Sequence, residues 1–243
     1  MDRFAYTYLA GALFSLGLWA GLFRLRADLR RPMIIMSAIA VVIGVPHEYW
    51  LWTRDWWHPP TITHTRIGFE DVAYAIGTGG ALAATFPTLF RQRMEPGRAP
   101  ARGYAAMPLA ILFLVPIVLV EFARMHSFVA CSLGAGAAVA WILVARPDLI
   151  RVAALNIVLG MSMSFACFWL LNALTPGFVA AMWDLSKLSG VLFSGVPVED
   201  LAWYAQTAAM FGTYYAYASG ARFVPQTQPA ATRAEHSPTR LPT

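Results

Sequence analysis

Charged side chains are scarce in this chain: they make up 13% of its 243 residues, against 58% apolar residues. A soluble domain carries about 25% charged residues, so the composition excludes an ordinary soluble globular protein. Lysine is almost absent, since Lys187 is the only one in the sequence. A retinal Schiff base needs a lysine inside a membrane span. Because Lys187 falls in a predicted loop, a rhodopsin is excluded.

The sequence also offers little for sulfur or metal chemistry. The two cysteines, Cys131 and Cys167, lie within apolar runs and provide neither a disulfide framework nor a Cys-based metal site. Three histidines fall in or beside one predicted loop, close to Glu48: His47, His58 and His64. Their spacing matches no recognised ligand pattern, so we expect no bound metal and no cofactor.

Long apolar runs dominate the sequence. Seven runs have about the 20-residue length that crosses a bilayer: 4–23, 32–51, 69–90, 104–122, 126–145, 151–173 and 197–219. They predict an all-α membrane protein with seven transmembrane helices. The first run has no basic segment before it and no small-residue cleavage site, so we interpret it as a resident helix. The polar tail, residues 224–243, is predicted to be disordered.

The basic residues predict the orientation of the chain in the membrane. Thirteen of the 18 Lys and Arg residues fall in the tail and in the loops after the first, third and fifth runs. Cytoplasmic loops carry the excess of basic residues. We therefore expect a multi-pass cell-membrane protein with its N-terminus outside and its C-terminus in the cytoplasm. The net charge of +5 is explained in this way and indicates no nucleic-acid partner.

Two short motifs occur twice, which predicts an internal repeat. RADLRR at 26–31 matches RPDLIR at 146–151, an offset of 120 residues, and EDVAY at 70–74 matches EDLAW at 199–203, an offset of 129. Each motif keeps its side of the membrane in both copies. The sequence is thus divided into a first three-helix repeat (1–94), a linker with one extra helix (95–125) and a second, parallel three-helix repeat (126–223).

Each repeat opens its last run with an adjacent Glu-Asp pair, Glu70 and Asp71 or Glu199 and Asp200. Acidic residues in a first helical turn stabilise the helix by about 0.3–1 kcal/mol, so capping explains one such pair. Two copies at a membrane edge favour a functional role, because carboxyl groups there are costly. Two close carboxyls do not both ionise easily, so one keeps a proton and becomes an acid in an apolar pocket.

Aromatic residues crowd the same side of the predicted bundle. They are Trp56, Trp57, Tyr74, Trp183, Trp203 and Tyr204. Aromatic faces stabilise cations, although a belt of Trp and Tyr at the membrane interface is the simpler explanation.

Together these motifs resemble the lycopene cyclase domain of carotenoid biosynthesis. In that family two three-helix domains act together, as separate subunits or as one fused chain. Pro197, Glu199 and Asp200 match the family's Pro-x-Glu-Glu/Asp motif, whereas Gly68 stands at the proline position of the first copy. The acid expected after the second run is present in the first copy as Glu48; the second copy has Asn172 there.

The resemblance implies an enzyme that cyclises the ends of a lycopene-like polyene after protonating them, without net redox change. We assign Glu199 and Asp200 as the first catalytic candidates, Glu70 and Asp71 as the second, and Glu48 as a supporting acid. The candidate substrate-binding residues are Pro197, Trp57, Trp203 and Tyr74. We also expect Glu70 and Glu199 to face one central cavity.

Two alternatives remain at this point: a hydratase on the same scaffold, and a non-catalytic membrane protein that binds carotenoid or lipid. The expected partners are a hydrophobic polyene and the lipid bilayer. Whether the chain forms a homo-oligomer is left open.

Overall fold

The computed structural model describes residues 3–226. Seven long helices account for most of this range: α1 (Arg3–Leu25), α2 (Ala27–Asp55), α3 (Phe69–Leu89), α4 (Arg102–Glu121), α5 (Ser127–Ala145), α6 (Pro147–Leu174) and α7 (Val198–Ser219). They confirm the predicted all-α membrane fold. Helix α2 departs most from its predicted run, 32–51, because it begins with a short 3₁₀ turn and continues to Asp55.

Six of these helices, α1 to α6, are long and apolar enough to cross a membrane. Helix α7 has 22 residues, which is also a spanning length, but Glu199, Asp200 and Gln206 lower its hydropathy. The count of seven spans therefore stays a prediction. Large apolar side chains such as Phe14 and Val144 are exposed on the helices, as expected where lipid surrounds a bundle.

The long helices form two packed groups that meet along α3 and α7. Helix α3 packs against α1 and α2, α7 packs against α5 and α6, and α4 packs mainly on α5. Gly79 lets α3 approach α2 closely, since a Cβ at this position would lie 2.6 Å from the Cβ of Ala40. Small residues at such crossings are typical of membrane helices, whose backbones approach one another closely.

The two R-x-D-L turns form the same ion pair in both groups. The Arg26 guanidinium donates two hydrogen bonds to Asp28, of 2.9 and 2.7 Å. The Arg146 guanidinium donates two to Asp148, each of 2.7 Å. This two-pronged geometry suits the planar guanidinium and fixes the turn that links the first two helices of each group.

The same two arginines also bind backbone carbonyls at the end of the last helix in each group. The acceptors are Pro87 and Gln92 for Arg26, and Ala216 and Ala221 for Arg146. Ala216 lies 129 residues after Pro87, and Ala221 lies 129 residues after Gln92. The two Glu-Asp motifs have the same offset. Such recurring contacts are what an internal repeat predicts.

Short strands close both ends of the bundle. The segments that leave α3 and α7 pair as antiparallel strands, β1 (Gln92–Glu95) and β4 (Arg222–Pro225). We call this the arginine end. At the other end, the acidic end, the hairpin β2 (Leu192–Phe193) and β3 (Val196–Pro197) leads into α7.

The predicted tail, residues 224–243, is described only in its first part. Val224 and Pro225 belong to strand β4, so ordered structure extends past the boundary predicted at residue 223. Residues 227–243 lie outside the described range, and their predicted disorder stays a prediction.

Helix α2 is widened at Ala40–Gly44 and at Glu48–Trp52, where π-helical turns replace regular α-helical ones. Pro46 lies between these two turns. Proline has no backbone N–H, and its ring collides with the carbonyl four residues earlier, so a regular helix is interrupted here. The second π turn begins at Glu48, and such turns are frequent at functional sites.

Candidate active site

A cavity of about 120 Å³ lies between α2, α3, α5 and α7. Its lining includes two carboxyl groups and several aromatic rings: Glu48, Asp71, Trp52, Tyr74, Trp203 and Tyr204. Both helix groups contribute to it, so neither group forms the cavity alone. An apolar pocket with a few converging polar groups is the usual form of a small-molecule site.

The carboxyl groups of Glu48 and Asp71 both line this cavity and lie close enough to interact with each other. Glu48 is 6% exposed and Asp71 is 2% exposed. An ionised carboxylate accepts hydrogen bonds but donates none. A hydrogen bond between the two side chains therefore requires a proton on one of them.

The two carboxyl groups differ in their other hydrogen bonds. Asp71 accepts one from the hydroxyl of Tyr8 and one of 2.7 Å from the backbone N–H of Gly68. Glu48 accepts one of 2.6 Å from the indole Nε1 of Trp57. Four elements position the pair: α1 through Tyr8, α2, the loop that carries Trp57, and the first turn of α3.

Asp200, on α7, lies beside the same cavity. It is 1% exposed and accepts a hydrogen bond from the hydroxyl of Ser164 on α6. It lines a smaller cavity of about 60 Å³. Glu48, Trp203 and Tyr204 line both cavities, so the two spaces are neighbours.

The second repeat does not provide a partner like Glu48 to Asp200 at the matching position. At the offset of 120 residues, Glu48 corresponds to Phe168, which lines the smaller cavity. Asn172, predicted to stand in place of the acid, accepts a 3.3 Å hydrogen bond from the backbone N–H of Val179. The first repeat therefore supplies a carboxyl pair where the second supplies Asp200.

Glu70 and Glu199 do not line either cavity, contrary to the expectation that both face a central one. Glu70 Oε1 accepts a 2.7 Å hydrogen bond from the backbone N–H of Ile62, and Glu199 Oε1 accepts one of 2.7 Å from Ser189. Each glutamate thus holds the loop that precedes its own helix. In both, Oε2 is buried without a hydrogen-bond partner in the described part of the chain. The neighbouring aspartates, not the glutamates, point inward because adjacent positions of a helix face different directions.

Of the predicted substrate-binding residues, some line the cavities and one does not. Tyr74 and Trp203 line both cavities, and Trp57 lines the smaller one. Pro197 pairs with Leu192 in the hairpin before α7 and is not among the lining residues. It shapes the entry into α7.

The loop before α3 and the loop before α7 contact each other at the acidic end through tryptophan residues. A backbone bridge joins Trp57 to Trp183, and the Trp56 and Trp183 rings stack 5.1 Å apart. These three residues are at most 7% exposed. A lipid-facing interfacial belt is therefore the wrong explanation for them, since they are buried between the two repeats.

Gly68 differs from the family's proline for a local reason. A Cβ at this position would collide with the carboxylate of Glu70 and with the side chain of Thr61. The backbone N–H of Gly68 also donates to Asp71, which a proline could not do because it has no N–H.

Sequence reasoning assigned no role to several residues of the site, namely Tyr8, Trp52, Ser164 and His47. Tyr8 and Ser164 are the hydroxyl donors to Asp71 and Asp200, and their helices are distant in sequence from their acceptors. His47 lines the larger cavity, and its ring stacks on that of Phe113 of α4 at 5.3 Å. Tyr8, Ser164 and His47 are polar residues inside apolar runs, which could have marked them as candidates. The sequence does not show which residue each of them contacts.

Comparisons with known proteins agree with the resemblance seen in the motifs. A family model described as Lycopene cyclase matches residues 123–218, which include α5, α6 and almost all of α7. A search of curated proteins and a search of solved structures gave no match. Residues 123–218 are therefore similar to a lycopene cyclase domain.

Proposed function

We propose that this chain is a membrane enzyme that cyclises the ends of a lycopene-like polyene by adding and removing a proton. The observation that carries the proposal is the buried Glu48–Asp71 pair in a cavity walled by aromatic rings. The matched family supports a carotenoid as the substrate. The ranking of the acids changes accordingly: Glu48 and Asp71 take first place, Asp200 follows, and the two glutamates become positioning residues.

Glu48 is the proton donor in this proposal. Hydrogen bonds to a carboxylate stabilise its ionised form, and Asp71 accepts such bonds from both Tyr8 and Gly68. Glu48 accepts one from Trp57, so the shared proton resides on Glu48. General acids of this kind typically contribute about 10²–10⁴-fold to a rate.

The reaction is balanced without a cofactor. The Glu48 proton adds to the terminal double bond of the polyene and leaves a tertiary carbocation. A neighbouring double bond of the same polyene attacks this cation and closes a six-membered ring. The Asp71 carboxylate then removes a proton from the ring to form the ring double bond. That proton returns to Glu48 through the hydrogen bond between the two side chains, so substrate and product are isomers.

The aromatic rings protect the cation during these steps. Tyr74, Trp203 and Tyr204 line the cavity beside the acid pair, and aromatic faces stabilise cations by about 0.5–2 kcal/mol. Exclusion of water matters as much, because water would capture the cation as an alcohol. The cavity of about 120 Å³ has room for one end of a polyene, whose remainder would extend beyond it.

Expression in a lycopene-accumulating bacterium tests the proposal. Pigments are separated by chromatography and their masses are measured by mass spectrometry. The variant Glu48→Gln, which we expect to be inactive, is the control. A cyclised pigment has the mass of lycopene. When membranes that already contain lycopene are incubated in D₂O, one deuterium from the acid should enter each ring. A product heavier by one water molecule would indicate the hydratase. Lycopene that co-purifies unchanged with the protein would indicate the non-catalytic alternative.

A further inference from the structure

A cavity larger than the candidate active site opens at the arginine end of the bundle. Its volume is about 820 Å³. It lies between the end of α3, the turn from α5 to α6, and strand β4. Three arginines line it: Arg146, Arg151 and Arg222. Nothing in the proposed cyclisation uses this space, and the inference below does not rest on that function.

The cavity combines exposed cations with a buried apolar wall. Arg151 and Arg222 are exposed, whereas Phe86, Leu149 and Val152 of the same lining are buried. The wall is reinforced by Phe223, whose ring meets that of Phe86 edge-on at 5.2 Å. This arrangement suits an amphiphile with a negative headgroup and an apolar body, rather than a free anion.

Two of the three arginines are available to a ligand. Arg146 is already bound to Asp148 and to two backbone carbonyls. Within residues 3–226, the side chains of Arg151 and Arg222 have no hydrogen bond and no ion pair. Asp148 is near enough to Arg222 to interact electrostatically, but Arg146 holds both of its oxygens. The cavity therefore has a surplus of positive charge.

The arginine at this position has an ion-pair partner in the first repeat but not in the second. Arg222 corresponds to Arg93 at the offset of 129 residues. Arg93 is neutralised by Glu95 at 2.6 Å. The second repeat has Val224 where the first has Glu95. Glu95 also lies opposite Arg222 in the strand pair, but its Oε1 is bound to Arg93. Only the second copy thus leaves the cation unpaired within the described chain.

We propose that this cavity binds the phosphate headgroup of an anionic phospholipid, with Arg151 and Arg222 as the phosphate ligands. Guanidinium groups bind phosphate through charge-assisted, often paired hydrogen bonds. Basic pockets at the ends of membrane helices are suited to such headgroups. The apolar wall formed by Phe86, Leu149, Val152 and Phe223 receives the glycerol and the first part of the acyl chains.

Native mass spectrometry of the purified full-length protein tests this site. The protein in detergent is titrated separately with phosphatidylglycerol and with phosphatidylcholine, and bound lipids are counted. We expect phosphatidylglycerol to bind more tightly. The variant Arg151→Ala/Arg222→Ala should bind it at least about tenfold more weakly, since both cationic ligands of the phosphate are removed. The matched control is Arg24→Ala/Arg31→Ala, which removes two exposed arginines from the same end but outside the cavity.

The outcomes separate the explanations. An equal loss of binding in the control would mean general charge attraction and would overturn the site. Displacement of the lipid by inorganic phosphate at equal concentration would assign the cavity to a free anion and overturn the lipid. If the double alanine variant does not fold, as judged by thermal unfolding without lipid, Arg222→Gln replaces it in the same titration. Unchanged binding by a folded variant would reject the proposal.

Discussion

The carboxyl group of Glu48, on α2, lies beside that of Asp71, on the first turn of α3, and both line the same cavity. The two residues are 23 positions apart in the sequence and are separated by a Trp-rich loop. In the proposed mechanism, their pairing places a proton and a negative charge side by side in an apolar cavity. The first three predictions follow from this arrangement and from the hydrogen bonds around it.

Glu48→Gln and Asp71→Asn should each abolish ring formation, with rates reduced by about 10²–10⁴-fold. An amide keeps the shape of the side chain but neither donates a strong-acid proton nor accepts one from the ring. The measurement is the ratio of cyclised to linear pigment in a lycopene-accumulating host, normalised to folded protein in the membrane. Full activity in both variants would end the mechanism proposed for the pair.

Tyr8→Phe should reduce cyclisation by about 10- to 100-fold. The Tyr8 hydroxyl donates to Asp71, and a hydrogen bond to a charged group is worth about 1.5–3 kcal/mol. Phenylalanine keeps the ring, so the protein should remain folded. Tyr6→Phe is the matched control, because Tyr6 is on the same helix but 47% exposed. A purely structural role of Tyr8 would lower the amount of protein without changing turnover per molecule.

The two glutamates of the Glu-Asp pairs should behave as loop anchors. In Glu70→Gln and Glu199→Gln, the amide oxygen still accepts the loop N–H, so we expect activity within about tenfold of the parent. In Glu70→Ala and Glu199→Ala, the N–H of Ile62 or Ser189 loses its acceptor, which costs about 1.5–3 kcal/mol locally. Hydrogen exchange should then accelerate in the loop before the altered helix and not in the other loop. Loss of product in Glu199→Gln with an intact loop would restore Glu199 as the acid.

The membrane orientation remains a prediction and is tested by cysteine labelling. Cys131 and Cys167 are first replaced by serine, and single cysteines are placed at Thr63 and Ala101, both exposed. With the N-terminus outside, a membrane-impermeant maleimide should label Thr63→Cys in intact cells and Ala101→Cys only after lysis. The opposite pattern would invert the topology and place the acidic end in the cytoplasm.

The apolar runs, the R-x-D-L turns and the Glu-Asp pairs are local features. The apolar runs were sufficient to predict the helices, whereas the internal repeat indicated by the two motifs stays a prediction. Length and hydropathy decide where a helix crosses a membrane, so the bounds of α1, α3 and α5 could be read directly. The turn motifs were also readable, because Arg26 and Arg146 each bind an aspartate two residues further along the same chain.

The roles within the acid pairs depended on the tertiary structure. Glu70 and Asp71 are neighbours in sequence, but adjacent side chains of a helix point in different directions, so one binds a loop and the other lines the cavity. The sequence ranked Glu199 and Asp200 first as catalytic candidates. In the structure Asp200 has no carboxyl partner like Glu48, because Phe168 stands at the matching position. Tyr8 could not be linked to Asp71 from the sequence, since a contact between α1 and α3 is fixed by helix packing and leaves no periodic signal.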